Sequence, residues 1–192
     1  MFTNEFSGFD KHYYHKLKVI EKLLSKNYLD NRRKGGRLEY LFFELLNILK
    51  SKSDVDEVFW YGKKGKYGIC EPAPGGKEGN PDVTFEIGDY SFILELTTYR
   101  GTRAQWNSSE ASSVPDHIAK AKRENPNKKI IGIFSAPNIH PQLEKNLTLN
   151  ARQEKVGMIF IPCIEFAELL SKLNREELLN LLVEKSEEQL KK

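Results

Sequence analysis

The segment spanning residues 82–97 constrains the fold more than any other part of the chain. Two short runs rich in β-branched and aromatic residues, 83–87 and 91–96, lie on either side of Gly88-Asp89. Such residues favour strands, and a Gly-Asp pair between two strand-like runs is typical of a tight turn. The segment therefore predicts a β-hairpin, around which the other elements must be arranged.

The remaining apolar residues form two kinds of pattern. Some repeat at helical spacing, whereas others form the short, unbroken runs that are typical of buried strands. We expect helices over residues 1–28, 37–49 and 114–123, one between the last two strands and two within 164–190, and strands over 55–61, 129–135 and 156–162. We expect loops at 31–36, 62–80 and 99–113. This order predicts an α/β fold with a central mixed β-sheet flanked by helices.

Length and composition fit a single domain with helices at each end. The chain has 192 residues, of which 39% are hydrophobic and 30% charged, and this is enough for one hydrophobic core. We divide it into an N-terminal helical segment at 1–35, a core at 36–165 and C-terminal helices at 166–192. The net charge of +3 favours nucleic acid only weakly, since a histone-like protein would be far more basic.

Nothing in the chain suggests a membrane or secretory location. Apolar stretches stay well short of the roughly 20 residues that span a bilayer, and the N-terminus has no apolar signal core. The two cysteines, Cys70 and Cys163, show no paired metal-binding spacing. We therefore expect two reduced thiols in a cytoplasmic protein that has no membrane partner.

Two carboxylates in the predicted hairpin are the candidate chemistry of the chain. Asp82 follows Asn80-Pro81 and opens the first strand, and Glu95 interrupts an apolar run near the end of the second. Because burying an unpaired carboxylate is costly, Glu95 needs a compensating cation. The turn lies midway between the two acids, so the strands can bring them together as oxygen ligands for Mg²⁺. The alternative is that Asp82 is only a turn residue and Glu95 faces solvent on an edge strand.

The spacing of these acids resembles a known signature. Pro81-Asp82, twelve intervening residues and Glu95-x-Thr97 resemble the PD-(D/E)xK nuclease superfamily. Glu39, near a helix start, resembles the acidic residue that these nucleases place before the sheet. Glu110 in a loop and His117 on the next helix extend the similarity to the AlwI-like type IIS restriction endonucleases and to the small catalytic subunit of heterodimeric, nicking-associated enzymes.

The resemblance covers residues 36–165 and implies a restriction-endonuclease-like core in a prokaryotic, Mg²⁺-dependent endodeoxyribonuclease that cuts one DNA strand. It implies that Asp82 and Glu95 hold the metal, and that Glu39, Glu110 and His117 position a second ion or the attacking water. The alternatives are that Glu39 is an exposed first-turn glutamate, that Glu110 is a surface glutamate and that His117 is a structural histidine.

One position departs from the superfamily pattern. Thr97 stands where a lysine is expected two residues after the second acid. The AlwI-like group shares this substitution, and His117 or a second metal could replace the lysine. A catalytically inactive nuclease fold, serving as a DNA-binding or assembly module, is therefore the alternative function.

The expected partners are double-stranded DNA and a larger protein. Arg100 and Arg103, just after the second strand, and Lys63 and Lys64 in the long loop could contact DNA phosphates; otherwise they form solvated basic loops. The chain looks too short to hold a full recognition domain beside the nuclease core. We therefore expect either a small subunit that works with a larger recognition and nicking subunit, or a cleavage domain of a longer enzyme.

Overall fold

A mixed five-stranded sheet forms the centre of the protein. The computed structural model describes residues 11–24, 31–73, 79–98 and 110–191, and the statements below concern these residues. The strands are β1 (Glu57–Trp60), β2 (Lys63–Lys64), β3 (Cys70–Glu71), β4 (Val83–Ile87), β5 (Tyr90–Leu96), β6 (Lys129–Ala136) and β7 (Gly157–Pro162). The sheet has the order β1-β4-β5-β6-β7, antiparallel from β1 to β5 and parallel from β5 to β7. Strands β2 and β3 pair separately.

The predicted β-hairpin is confirmed. Strands β4 and β5 pair from Ile87 opposite Tyr90 to Val83 opposite Leu94. Gly88 adopts a φ of 59°, in the left-handed region that glycine enters without steric cost. This register brings the start of β4 next to the end of β5, which is where the two predicted acids lie.

Helices cover both faces of the sheet. They are α1 (Lys11–Leu24), α2 (Asn31–Ser51), α3 (Glu110–Glu124), α4 (Pro141–Gln153), α5 (Cys163–Lys172) and α6 (Arg175–Lys191). Apolar residues of α1, α2, α5 and α6 form one core with one face of the sheet, including Leu94 and Leu96. Residues of α3 and α4 form a second core with the other face, including Ile93. The expected α/β architecture is therefore confirmed, and the alternation along β5 shows which side chains face which helices.

Three predicted loops are partly wrong. Residues 31–36 belong to α2, residues 62–80 include the β2–β3 hairpin and a short 3₁₀ turn, and residues 110–113 form the first turn of α3. Within α2, Gly36 allows the helix to approach β3, because a Cβ there would lie 2.5 Å from the carbonyl oxygen of Cys70. Glycine at this position therefore reflects a close contact between elements and not a loop.

The expected divisions at residues 36 and 166 fall inside α2 and α5. Helices α1 and α6 also share their core with α2. Among the described residues, no helix is both long and apolar enough to cross a membrane.

Candidate active site

The carboxyl ends of β1, β5, β6 and β7 meet the start of β4 at one edge of the sheet. Asp82 lies at this edge, directly before β4. Its Oδ2 accepts a hydrogen bond from the backbone N–H of Leu96 at 2.7 Å, and its carbonyl accepts one from Tyr61 N at 3.2 Å. The Asp82 carboxylate therefore lies beside the peptide group that joins Glu95 to Leu96, as the hairpin predicted.

Glu95 is buried, with 4% of its surface exposed, and faces α3. It shares the side of β5 that carries Ile93, opposite Leu94 and Leu96. Its Oε1 lies 2.7 Å from Nδ1 of His117, which is also 4% exposed. The solvent-facing alternative for Glu95 is thus wrong, and His117 is a hydrogen-bonding partner for the buried carboxylate. The structure brings together three of the predicted site residues, namely Asp82, Glu95 and His117.

Thr97 continues the strand without supplying a charge. Its side chain is buried, and its backbone N–H donates to the carbonyl of Ser135 at 3.0 Å. The position at which the PD-(D/E)xK pattern has a lysine is therefore a neutral, buried part of the β5–β6 pairing.

Glu39 lies on the α2 side of the sheet and is 2% exposed. Its Oε2 accepts hydrogen bonds from Nε1 of Trp60 at 3.1 Å and from the backbone N–H of Ala73 at 2.9 Å. Burial raises the pKa of this carboxyl group, and the two donors oppose the rise. The exposed, first-turn alternative for Glu39 is wrong. Its contacts tie the edge of β1 and the end of the β2–β3 hairpin to α2, on the opposite face from the Glu95–His117 pair.

The other predicted residues are placed as follows. Lys63 and Lys64 form β2 and are exposed. Nζ of Lys64 donates to the Tyr40 hydroxyl at 3.0 Å, and this hydrogen bond raises the pKa of Lys64. Glu110 is the first residue of α3 and not a loop residue. Its side chain, together with Arg100 and Arg103, lies outside the described residues.

Sequence reasoning missed two contributors to this edge. Trp60 was assigned only to a strand, although its indole N–H holds Glu39. Lys120, three residues after His117 on α3, donates from Nζ to Oδ1 of Asn80 at 2.9 Å. Helical spacing could have identified Lys120, because residues three apart, such as His117 and Lys120, lie on one face of a helix.

The donor set at the edge fits Mg²⁺ in chemical kind. Asp82 and Glu95 offer carboxylate oxygens, which hard cations prefer. In the described part of the chain, no group of three or more His, Cys, Asp or Glu side chains is arranged to hold a metal. Mg²⁺ in proteins commonly keeps several waters and binds through one or two carboxylates.

Solved structures with this fold include restriction endonucleases. The small subunit of the heterodimeric restriction endonuclease R.BspD6I matches with a TM-score of 0.71 and 15% identity, over 93% of this chain and 96% of that chain. Restriction endonuclease FokI matches with a TM-score of 0.53 and 15% identity, over 95% of this chain but 34% of its own length. The structure of FokI bound to DNA matches with a TM-score of 0.51 and 14% identity, over 93% of this chain and 30% of that chain.

The sequence comparison agrees with the structural one. No curated protein sequence matches the chain significantly, but residues 69–163 match the family model of the AlwI restriction endonuclease. The matched segment includes Asp82, Glu95 and His117, and it excludes Glu39. By its fold and by the matched segment that carries the site, this chain is a restriction-endonuclease-like protein that resembles the AlwI family.

Proposed function

We propose that this chain is the Mg²⁺-dependent endodeoxyribonuclease domain or small subunit of a type IIS restriction endonuclease, and that it hydrolyses one strand of double-stranded DNA. The observation that carries the proposal is that the structure places two carboxylates at one edge of the sheet, each with its own hydrogen-bond partner. Asp82 is held by the Leu96 N–H, and Glu95 is held by His117. Both contacts lie inside the segment that matches the AlwI family.

Asp82 and Glu95 are the proposed metal ligands. When bound, Mg²⁺ would supply Lewis-acid stabilisation of the charge that develops on the phosphate. The Leu96 N–H fixes the Asp82 carboxylate against β5, and His117 orients the Glu95 carboxylate within a buried setting. In the reaction, the oxygen of water forms a new P–O bond and one ester P–O bond breaks. The leaving oxygen takes up a proton, and the water loses one.

Glu39, Glu110 and the basic residues have supporting roles in this proposal. Glu39, held by Trp60 and Ala73, fixes α2 and the β2–β3 hairpin at the edge, and Glu110 begins the helix that carries His117. Exposed Lys63 and Lys64, with Arg100 and Arg103, contact DNA phosphates. In this proposal, residues on both faces of the sheet, next to α3 and next to α2, contribute to binding and cutting the same DNA.

A partner completes the proposed enzyme. The chain matches nearly the whole small subunit of a heterodimeric enzyme but only about a third of FokI, so site recognition belongs to another subunit or domain. We expect the isolated chain to bind DNA weakly and without sequence preference, because its net charge is only +3. A gel-shift titration that showed tight, site-specific binding by the chain alone would contradict this.

Thr97 supports the second candidate, a catalytically inactive DNA-binding or assembly module. This position is buried and neutral, so a lysine is missing from the strand. An inactive module would bind DNA or a partner equally well with or without intact acids.

Nicking of supercoiled plasmid decides between the two candidates. The full chain is assayed in Mg²⁺ and in EDTA, alone and with candidate partner subunits encoded by the genes that flank its own. Asp82→Asn and Glu95→Gln should abolish Mg²⁺-dependent nicking and leave the circular dichroism spectrum unchanged. Asp89→Asn, which removes an exposed carboxylate at the far end of the same hairpin, is the matched control and should nick normally. Wild-type nicking by either acid variant would refute the proposed site.

A further inference from the structure

An open cavity of about 140 Å³ lies between α3 and strands β1, β4 and β5, with His117 in its lining. Its titratable lining residues are divided between its ends. Lys120 and His117 lie toward the sheet edge that carries Asp82 and Glu95, here called the catalytic edge, near Asn80. Glu86 and Glu124 lie toward the other end, and Glu86 is paired with Lys128 at 3.1 Å. An anion bound at the catalytic edge would therefore lie near the end of the cavity that carries Lys120.

Lys120 is directed toward the catalytic edge. Helix α3 begins at Glu110, after β5 has ended at that edge, and runs back along the sheet toward β6. Side chains on a helix lean toward its N-terminus, so a long side chain at position 120 extends back past His117. Its Nζ reaches Oδ1 of Asn80 at 2.9 Å, two residues before Asp82 in the chain.

The proposed Mg²⁺ offsets the charges of Asp82 and Glu95 but leaves no further cation for the negative charge of the phosphate. Thr97 offers no charge at the position where the PD-(D/E)xK pattern has a lysine. Lys64, on the other side, is hydrogen-bonded to the Tyr40 hydroxyl. Lys122, also on α3, donates instead to the backbone carbonyl of Glu154, at the end of α4.

We propose that Lys120 donates a hydrogen bond to a non-bridging oxygen of the DNA phosphate that is cut, and so replaces the lysine absent at Thr97. Asn80 is a positioning residue that holds the ammonium group at the edge. The remaining N–H donors of Lys120 are the ones offered to the phosphate, since an ammonium group carries three. This inference rests on the proposed nuclease function.

DNA binding tests the contact without requiring cleavage. The affinity of the full chain for a short duplex is measured in Ca²⁺, which takes the same kind of oxygen ligands, over a range of salt concentrations. Lys120→Met should weaken binding about tenfold and reduce the slope of log K against log salt by about one. Lys120→Arg should stay near wild type. The matched control Lys122→Met, on the same helix, should change neither quantity. An unchanged affinity and slope in Lys120→Met would overturn the proposal.

Single-turnover nicking at saturating protein tests whether the contacted phosphate is the one that is cut. Lys120→Met should lower the rate about 100-fold, the usual effect of removing one donor to developing charge, with an unchanged melting temperature. Adding Thr97→Lys to this variant should restore part of the rate. Weaker binding with a normal saturated rate would overturn the assignment to the cut phosphate. If wild type nicks neither alone nor with a partner subunit, the nuclease function fails, while the binding measurement still decides whether Lys120 contacts DNA.

Discussion

Replacing His117 in two ways separates its possible roles. His117→Ala removes the group that lies 2.7 Å from the Glu95 carboxylate. His117→Asn keeps an N–H donor near the position of Nδ1 but removes the titrating ring. If the main role of His117 is to position Glu95, the asparagine variant should resemble wild type and the alanine variant should not.

The size of the effect follows from the burial of both partners. His117 and Glu95 are each 4% exposed, so water cannot easily replace the lost donor. A hydrogen bond to a charged group contributes about 1.5–3 kcal/mol. For a chain of this size each kcal/mol corresponds to about 2–4 °C in melting temperature, so His117→Ala should melt about 3–12 °C lower. A carboxylate displaced by about 1 Å should cost roughly 100-fold in rate.

Melting temperature and single-turnover nicking are measured on the same preparation of each variant. We expect His117→Ala to lose both stability and rate, and His117→Asn to keep most of both. A normal rate per folded molecule in His117→Ala would show that the histidine is only structural. A rate loss of about 100-fold in His117→Asn at normal stability would instead indicate that the ring accepts a proton from water, and positioning would be the wrong explanation.

Three further outcomes are expected. Glu39→Gln should keep both hydrogen bonds through its remaining oxygen and retain nicking; a loss above tenfold at normal DNA affinity would show that the Glu39 charge acts in the reaction. Gly36→Ala should lower stability in denaturant unfolding by about 1–3 kcal/mol, because its Cβ would meet the backbone near Cys70; an unchanged midpoint would contradict this. Hydrogen bonding from Arg175 lowers the pKa of Asp56 to about 2 from 3.8, so this ion pair stabilises the fold above pH 4 and is lost as the pH falls toward 2. Asp56→Asn should therefore reduce the melting temperature at pH 7 by about 1–3 °C, and a difference that persists at pH 2 would refute the linkage.

The hairpin and its acids were predictable because strand periodicity and turn chemistry act locally. Once Gly88 and Asp89 form the turn, pairing along two short strands leaves little choice of register. Asp82 and Glu95 are then brought to one edge, whatever the rest of the chain does. Strand alternation also predicts that Glu95 and Leu94 face opposite sides, and the structure places them in that way.

Features that depend on contacts between distant segments were not predictable. Residues 31–36 contain Gly35 and Gly36, which favour a loop when considered alone. The structure continues α2 through them because β3, more than thirty residues later, lies against Gly36. The burial of Glu39 has the same origin, since its donors, Trp60 and Ala73, come from elements whose approach to α2 no local pattern specifies.

The location of the cation at the catalytic edge is also a tertiary property. The superfamily pattern places a lysine on the strand two residues after the second acid, and Thr97 breaks that pattern. An edge formed by a sheet and a helix can receive a long side chain from either element, because side chains on α3 lean toward the edge where the helix begins. Lys120 occupies such a position, with its ammonium held by Asn80. A substituted motif residue therefore argues against activity only when the neighbouring helix also lacks a suitable side chain. In this chain, α3 supplies such a side chain in Lys120.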